Sequence, residues 1–164
     1  MYHVLVADDE DIIREGIKCL VDYEALGFSI IGEAANGDSA YEAILSLKPD
    51  VVLMDIRMPG MSGLEVIHKI KEQGFEGKII IISSYSDFNY AQEAIRYGVQ
   101  YYLTKPIDED ELEDILRTFK NDFDAERKAK HTSAHYRQKA HNSILKDILN
   151  GDANLSQLNL NELH

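Results

Sequence analysis

The chain reads as an α/β protein, a doubly wound five-stranded parallel sheet with a C-terminal helical extension, on three observations. Short apolar runs alternate with segments of helical periodicity through about residue 120. Two of those runs, Val51-Val52-Leu53-Met54 and Ile79-Ile80-Ile81-Ile82, are apolar at every position, which suits strands covered on both faces. A length of 164 residues allows one domain with its own core plus an appendage.

Taken in order, the predicted strands are His3–Ala7, Ser29–Ala34, Val51–Met54, Lys78–Ser83 and Gln100–Leu103. Between them Ile13, Ile17, Leu20 and Val21 share one helical stripe, and Ala40, Ala43, Ile44 and Leu47 share a second. Each stripe is expected to cover one side of the sheet. Ser62 stands three residues before Glu65 and Asp108 three before Glu111, the spacing of a capping box. Gly74 and Gly98 follow helical stretches as stop signals. A fifth helix is expected to turn Leu112, Ile115, Leu116 and Phe119 toward the core.

Beyond Lys120 the apolar stripe thins to Phe123, Ala125 and Ala129. No acid occurs from Arg127 to Lys146, a stretch that reads as a solvated helical linker rather than a binding surface. Ile144, Leu145, Ile148 and Leu149 form a further amphipathic stretch before Asn150-Gly151-Asp152 breaks it. The expected division is therefore a domain over residues 1–120 and a helical linker, or the start of a truncated C-terminal region, over 121–164.

The net charge is −12, and the final 44 residues carry as many basic as acidic side chains, so the excess falls on the first 120. That argues against the first part gripping nucleic acid unaided. No run approaches the roughly 20 apolar residues of a membrane span, and the start of the chain shows no basic region or cleavage site. No membrane association and a cytoplasmic location are the expectation. The single cysteine, Cys19, excludes an internal disulfide and is read as a small buried hydrophobe on a helix.

Ligands of a parallel α/β sheet gather at the carboxyl ends of its strands. Here those ends are Ala7-Asp8-Asp9-Glu10, Met54-Asp55, Ser83-Ser84 and Thr104-Lys105-Pro106. Asp8, Asp9 and Asp55 would repel one another unless a cation joined them, and a hard divalent ion such as Mg2+, which keeps few protein ligands, leaves room for a phosphate oxygen. Lys105 and the Ser83 hydroxyl could then hold other oxygens of the same phosphoryl group, with Asp55 as nucleophile. Singly, each signal is weak, because an aspartate ending an apolar strand is more often a turn residue or a helix cap. Tyr102 taken alone is an edge-strand core residue.

In combination ADDE at 7–10, VVLMDIRMPGMSG at 51–63, IIIISS at 79–84 and YYLTKP at 101–106 resemble the receiver domain of two-component response regulators, over about residues 1–120. The resemblance implies a flavodoxin-like (βα)5 fold. It implies that Asp55 is phosphorylated by a sensor histidine kinase, with Asp8 and Asp9 holding magnesium, Asp9 the more direct ligand, and the Arg57 backbone carbonyl completing the protein's share. Ser83 and Lys105 correspond to the hydroxyl and lysine that contact the phosphoryl group, and Tyr102 to the rotating aromatic of the switch. It also implies a cis Lys105-Pro106 bond and a tight turn at Pro59, Gly60 and Gly63. Arg57 and Tyr85 are bulky where such domains tune water access, so slow self-dephosphorylation is expected.

The segments Ser84-Tyr85-Ser86-Asp87-Phe88 and Ala94-Ile95-Arg96-Tyr97-Gly98 are similar to receivers fused to AraC-type transcription factors. Control of transcription would then run through a DNA-binding output domain absent from this chain. A homodimer could form through the face of the fourth helix, fifth strand and fifth helix, or through the C-terminal helix.

Three other readings compete. A haloacid-dehalogenase-type hydrolase needs a second acid two residues after its nucleophile, and Arg57 stands there. A receiver-like module that never uses phosphate would be marked by loss of the acids or the lysine. A flavin or nucleotide binder wants a glycine-rich loop where Asp8-Asp9-Glu10 would repel its phosphate. His131 and His135 have the spacing of a metal pair, but exposed linker histidines are the better reading, as are surface positions for His3 and His68.

Overall fold

In the computed structural model the backbone is described for residues 1–84 and 88–150, and side-chain surroundings for 1–84, 89–90 and 92–130. The elements run β1 (Tyr2–Ala7), α1 (Asp11–Leu20), α2 (Tyr23–Leu26), β2 (Phe28–Ala34), α3 (Gly37–Leu47), β3 (Val51–Asp55), α4 (Gly63–Glu72), β4 (Lys78–Ser83), α5 (Phe88–Arg96), β5 (Tyr101–Thr104) and α6 (Glu109–Asn150). The five strands form one sheet in the order β2-β1-β3-β4-β5, with every neighbouring pair parallel. This is the predicted doubly wound α/β sheet.

The apolar strands take the interior places because only there are both faces covered. Val51 to Met54 and Ile79 to Ile82 are each at most 1% exposed. The chain moves from β1 outward to β2, then crosses back to β3 on the other side of β1. That reversal leaves a crevice between the carboxyl ends of β1 and β3. Register pairs Ala7 with Met54, Asp55 with Ile82 and Ser83 with Thr104, so the polar residues after each strand arrive at one rim.

The helix starts follow their caps. Ser62 Oγ accepts from Glu65 N at 3.2 Å, Asp108 Oδ1 from Glu111 N at 3.0 Å, and Asn36 Oδ1 from Ser39 N at 2.8 Å. Each bond satisfies one of the orphan donors of a first helical turn. Gly74 and Gly98 close α4 and α5 with positive φ, and Leu112, Ile115, Leu116 and Phe119 are buried.

Besides ends of β1, β2 and β3 that each extend by one residue, four details differ from the sequence reading. The short helix α2 was not foreseen, because four residues are too few to show a period; Asp22 caps it, and the Tyr23 hydroxyl donates to Ile17 O at 2.6 Å. Cys19 is exposed, being two residues from buried Ile17 and so on the opposite side of α1. Leu47 is 44% exposed, because it leans over Gly32 on β2, an edge strand that covers it from one side only. β5 begins at Tyr101, while the Gln100 side chain accepts a hydrogen bond from Ile79 N at 3.2 Å.

The chain divides into two units, Met1–Lys120 and Asn121–His164. The readings placed on Tyr85, on the side chains of His131, His135 and Ile144 to Leu149, and on the break at 151–152 lie outside the described residues. No described helix is long and apolar enough to cross a membrane.

Candidate functional site

Three loops deliver the site to the rim. β1 ends at Ala7, and Asp8 follows with its N–H donating to Ala34 O at 3.0 Å and its side chain 1% exposed. β3 ends in Asp55, 6% exposed, and the chain must then turn at once into α4. Gly63 N donates to Ile56 O at 2.7 Å, and a Cβ on Gly63 would lie 2.2 Å from the carbonyl oxygen of Asp55. The turn therefore closes only around glycine here, while Gly60 supplies a positive φ of 76°. From β5 the Lys105 N–H donates to Ser83 O at 2.8 Å, and Lys105-Pro106 is cis.

The Lys105 ammonium ends between two carboxylates, 2.7 Å from Asp8 Oδ2 and 3.3 Å from Asp55 Oδ2. The other oxygen of Asp8, Oδ1, accepts from Glu10 N at 2.9 Å. Repulsion between the acids is thus relieved by a lysine, an addition to the expectation that a divalent ion would do it. Burial holds the Asp55 carboxyl above the usual carboxylate range; Lys105 pulls it back, Asp8 adds to the rise, and the Arg57 N–H bond lowers it. Burial works to lower the Lys105 ammonium, but its bonds and charges with Asp8 and Asp55 outweigh that and hold it above its ordinary range.

A second grouping overlaps the first. One carboxylate oxygen from each of Asp8, Asp9 and Glu10 lies within 4.8 Å of the others. An all-oxygen, partly solvated donor set of this kind fits a hard cation and not a soft one. Asp55 stands outside this trio, with one oxygen committed to Lys105. Ser83 is fully buried at the end of β4, Arg57 is exposed, and Tyr102 is half-buried against the core.

Two residues of the rim were not singled out from sequence. Glu10 joins the acidic trio, and its place in the run Asp8-Asp9-Glu10 was the available signal. Arg14, on the first turns of α1, donates through Nη1 to the carbonyl oxygen of Asp8, through Nη2 to Asp11 and through Nε to Glu33 Oε1 at 3.3 Å. Nothing in the spacing announced those contacts. His3 is exposed, and His68 is an exposed partner of Glu72 at 2.7 Å with its ring edge-on to Tyr97.

Among the described residues, two hollows lie beside the rim. One of about 860 Å3 lies between α4 and α5 and includes Asp9, Arg57 and Met58. The other, about 420 Å3, is apolar and runs between α1 and the loop after β5, past Ile12, Ile13, Ile17, Lys105 and Ile107. Ile12 is 78% exposed there.

Comparison with known proteins agrees with this fold. The chain is 40% identical over 163 residues to the uncharacterized transcriptional regulatory protein YesN of Bacillus subtilis, covering 95% of this chain and 44% of that protein. It is 39% identical over 116 residues to the transcriptional regulatory protein HptR of Staphylococcus aureus, covering 71% of this chain and 45% of that one. The chain thus spans less than half the length of the regulators it matches. Among solved structures, the receiver domain of AraT, a response regulator from Geobacillus stearothermophilus, superposes with a TM-score of 0.72 at 38% identity, over 77% of this chain and 98% of that one. A two-component transcriptional regulator AraC from Clostridium phytofermentans superposes with a TM-score of 0.67 at 34% identity, over 74% and 94%. With residues 4–117 matching the response regulator receiver domain, the chain belongs to that signalling family.

Proposed function

We propose that Asp55 is the phosphoacceptor of this receiver and that its modification, with Mg2+, drives a change of surface that controls transcription through an output domain. The observation that carries the reading is the single ammonium of Lys105 shared by Asp8 and Asp55 at the crevice between β1 and β3. An oxygen of the Asp55 carboxylate attacks phosphorus. The bond from phosphorus to the donor's histidine nitrogen, or to the acyl oxygen of acetyl phosphate, breaks with its electron pair going to the leaving group. Lys105 then shifts from the carboxylates to a phosphoryl oxygen, and the Ser83 hydroxyl donates to another.

Asp8, Asp9 and the Arg57 carbonyl, with Asp55, would hold the magnesium ion, which supplies charge neutralisation for the transferring group. With that counter-charge on Asp8 and Asp55, Lys105 would be free to leave the two carboxylates for the phosphoryl group. Movement of Ser83 toward the phosphoryl group frees space for the half-buried Tyr102 to turn inward, changing the face of α5, β5 and the start of α6. That face, or the helix past residue 120, is where a homodimer would form.

The donor would be a sensor histidine kinase, and the apolar hollow beside Lys105 supports a docking place for it, because exposed Ile12 lines it together with Lys105, whose ammonium reaches Asp55. Residues 121–164 would serve as a helical linker to the DNA-binding part, and the location would be cytoplasmic. Steady hydrolysis of phosphate esters is disfavoured, since exposed Arg57 stands where a hydrolase would place its general acid. The test is mass spectrometry after incubation with acetyl phosphate and magnesium. One added phosphoryl group is expected, absent from Asp55→Asn and without the metal; labelling that survives in Asp55→Asn would refute the assignment.

A further inference from the structure

With Asp8 and Asp9 read as the metal-binding acids above, we infer that Arg14 is the positioning residue that presents them: its guanidinium grips the loop between β1 and α1 from behind. Asp8 is held by its N–H to Ala34 O at 3.0 Å, by its carbonyl to Arg14 Nη1 and by Oδ1 to Glu10 N at 2.9 Å. Arg14 is in turn fixed by Asp11 on its own helix and by Glu33 on β2, and its side chain is only 12% exposed. Lys18 shares Glu33 at 3.0 Å, so the anchoring carboxylate is itself held from two sides.

The fork of the guanidinium matters because it spans three elements at once. Nη1 meets the end of β1, Nη2 meets the first turn of α1 and Nε meets β2. Without that tie the three consecutive acids Asp8, Asp9 and Glu10 would relax apart under their own repulsion. The bond to the Asp8 carbonyl acts on backbone, so it sets where both carboxylates start from and touches neither of them. Arg14 thereby acts on the metal site at one remove, as residues that orient ligands do.

Coulomb's law alone predicts the opposite of positioning. Removing a positive charge close to a cation site should strengthen cation binding, whereas loss of a clamp should weaken it. The experiment is calorimetric titration of magnesium into the full chain, comparing wild type with Arg14→Met, which keeps the apolar stem, and Arg14→Lys, which keeps the charge and loses the fork. About tenfold weaker binding is expected for Arg14→Met, and weaker binding also for Arg14→Lys. Unchanged or tighter binding by Arg14→Met overturns the inference; if that variant does not fold, unchanged binding by Arg14→Lys overturns it. Asp9→Asn separates the two levels of the reading: wild-type binding that survives Asp9→Asn removes the metal assignment itself, and absence of a magnesium signal in the wild type removes both.

Discussion

Lys105 and Asp8 form a 2.7 Å ion pair in which the carboxylate is 1% exposed, and the same ammonium reaches Asp55 at 3.3 Å. The lysine is thus a counter-ion of acids that would also bind a metal. Both cannot be served fully at once, because a divalent ion and an ammonium compete for the same oxygens.

Lys105→Met should therefore have opposite effects on stability and on metal binding. In chelator the variant leaves a buried carboxylate without its partner and should lose about 3 kcal/mol. Saturating magnesium should restore much of that loss by mass action, and the magnesium affinity of the variant should exceed that of the wild type. Urea unfolding with and without the metal measures both. An identical deficit in the two buffers would contradict the shared-cation picture.

The raised Asp55 carboxyl gives a pH dependence with a definite sign. A folded-state pKa above the unfolded value means that the ionised form opposes folding at neutral pH, and that the penalty vanishes as pH falls through the folded value toward the ordinary carboxylate range. Asp55→Asn should accordingly be more stable than wild type near neutrality in metal-free buffer, with the gap narrowing as the solution is made acidic. Denaturation midpoints across that window are the measurement; a gap that widens on acidification would reverse the sign and rule the argument out.

Gly63 and Gly74 make a matched pair for the turn after Asp55. A Cβ at Gly63 meets the Asp55 carbonyl oxygen at 2.2 Å and the Ile56 Cα at 3.0 Å, both backbone, so nothing nearby can rotate away. Gly63→Ala should cost about 3 kcal/mol and slow labelling by acetyl phosphate, since the strand end must shift. Gly74→Ala meets no atom within 4 Å and carries only the penalty of its positive φ, about 1 kcal/mol, with labelling unchanged. Equal effects of the two on labelling would show that the turn does not set the position of Asp55.

The parts of this molecule that were legible in the sequence are those where a residue pattern has few physical solutions. Ile79 to Ile82, apolar at every position, suits an interior strand, and acids, hydroxyls and an amine after four of the five strands must share a rim once the sheet is parallel. What could not be read depends on paths through space that no period encodes. Arg14 reaches the Asp8 carbonyl because of how the loop folds back over α1, and Lys105 pairs with Asp8 as well as Asp55 because β1 and β3 are neighbours with Lys105 entering from beyond β4. Leu47 shows the limit on helices, where a stripe predicts a buried face but not how far the neighbouring sheet extends beneath it.

Ile12 offers a way to separate the chemistry of Asp55 from recognition of the protein that supplies the phosphoryl group. It is 78% exposed beside an apolar hollow that runs to Lys105 and Ile107, and an exposed isoleucine in that setting gains free energy only when something covers it. Ile12→Glu places a charge in that patch without touching Asp8, Asp55 or Lys105. Transfer from a phosphorylated histidine kinase that labels the wild-type chain should fall by about tenfold or more, the loss of roughly 1.4 kcal/mol or more of contact, while labelling by acetyl phosphate, which needs no protein surface, stays within about twofold. A parallel fall in both reactions would mean that the substitution disturbs the rim itself, and unchanged transfer from the kinase would place the docking surface elsewhere.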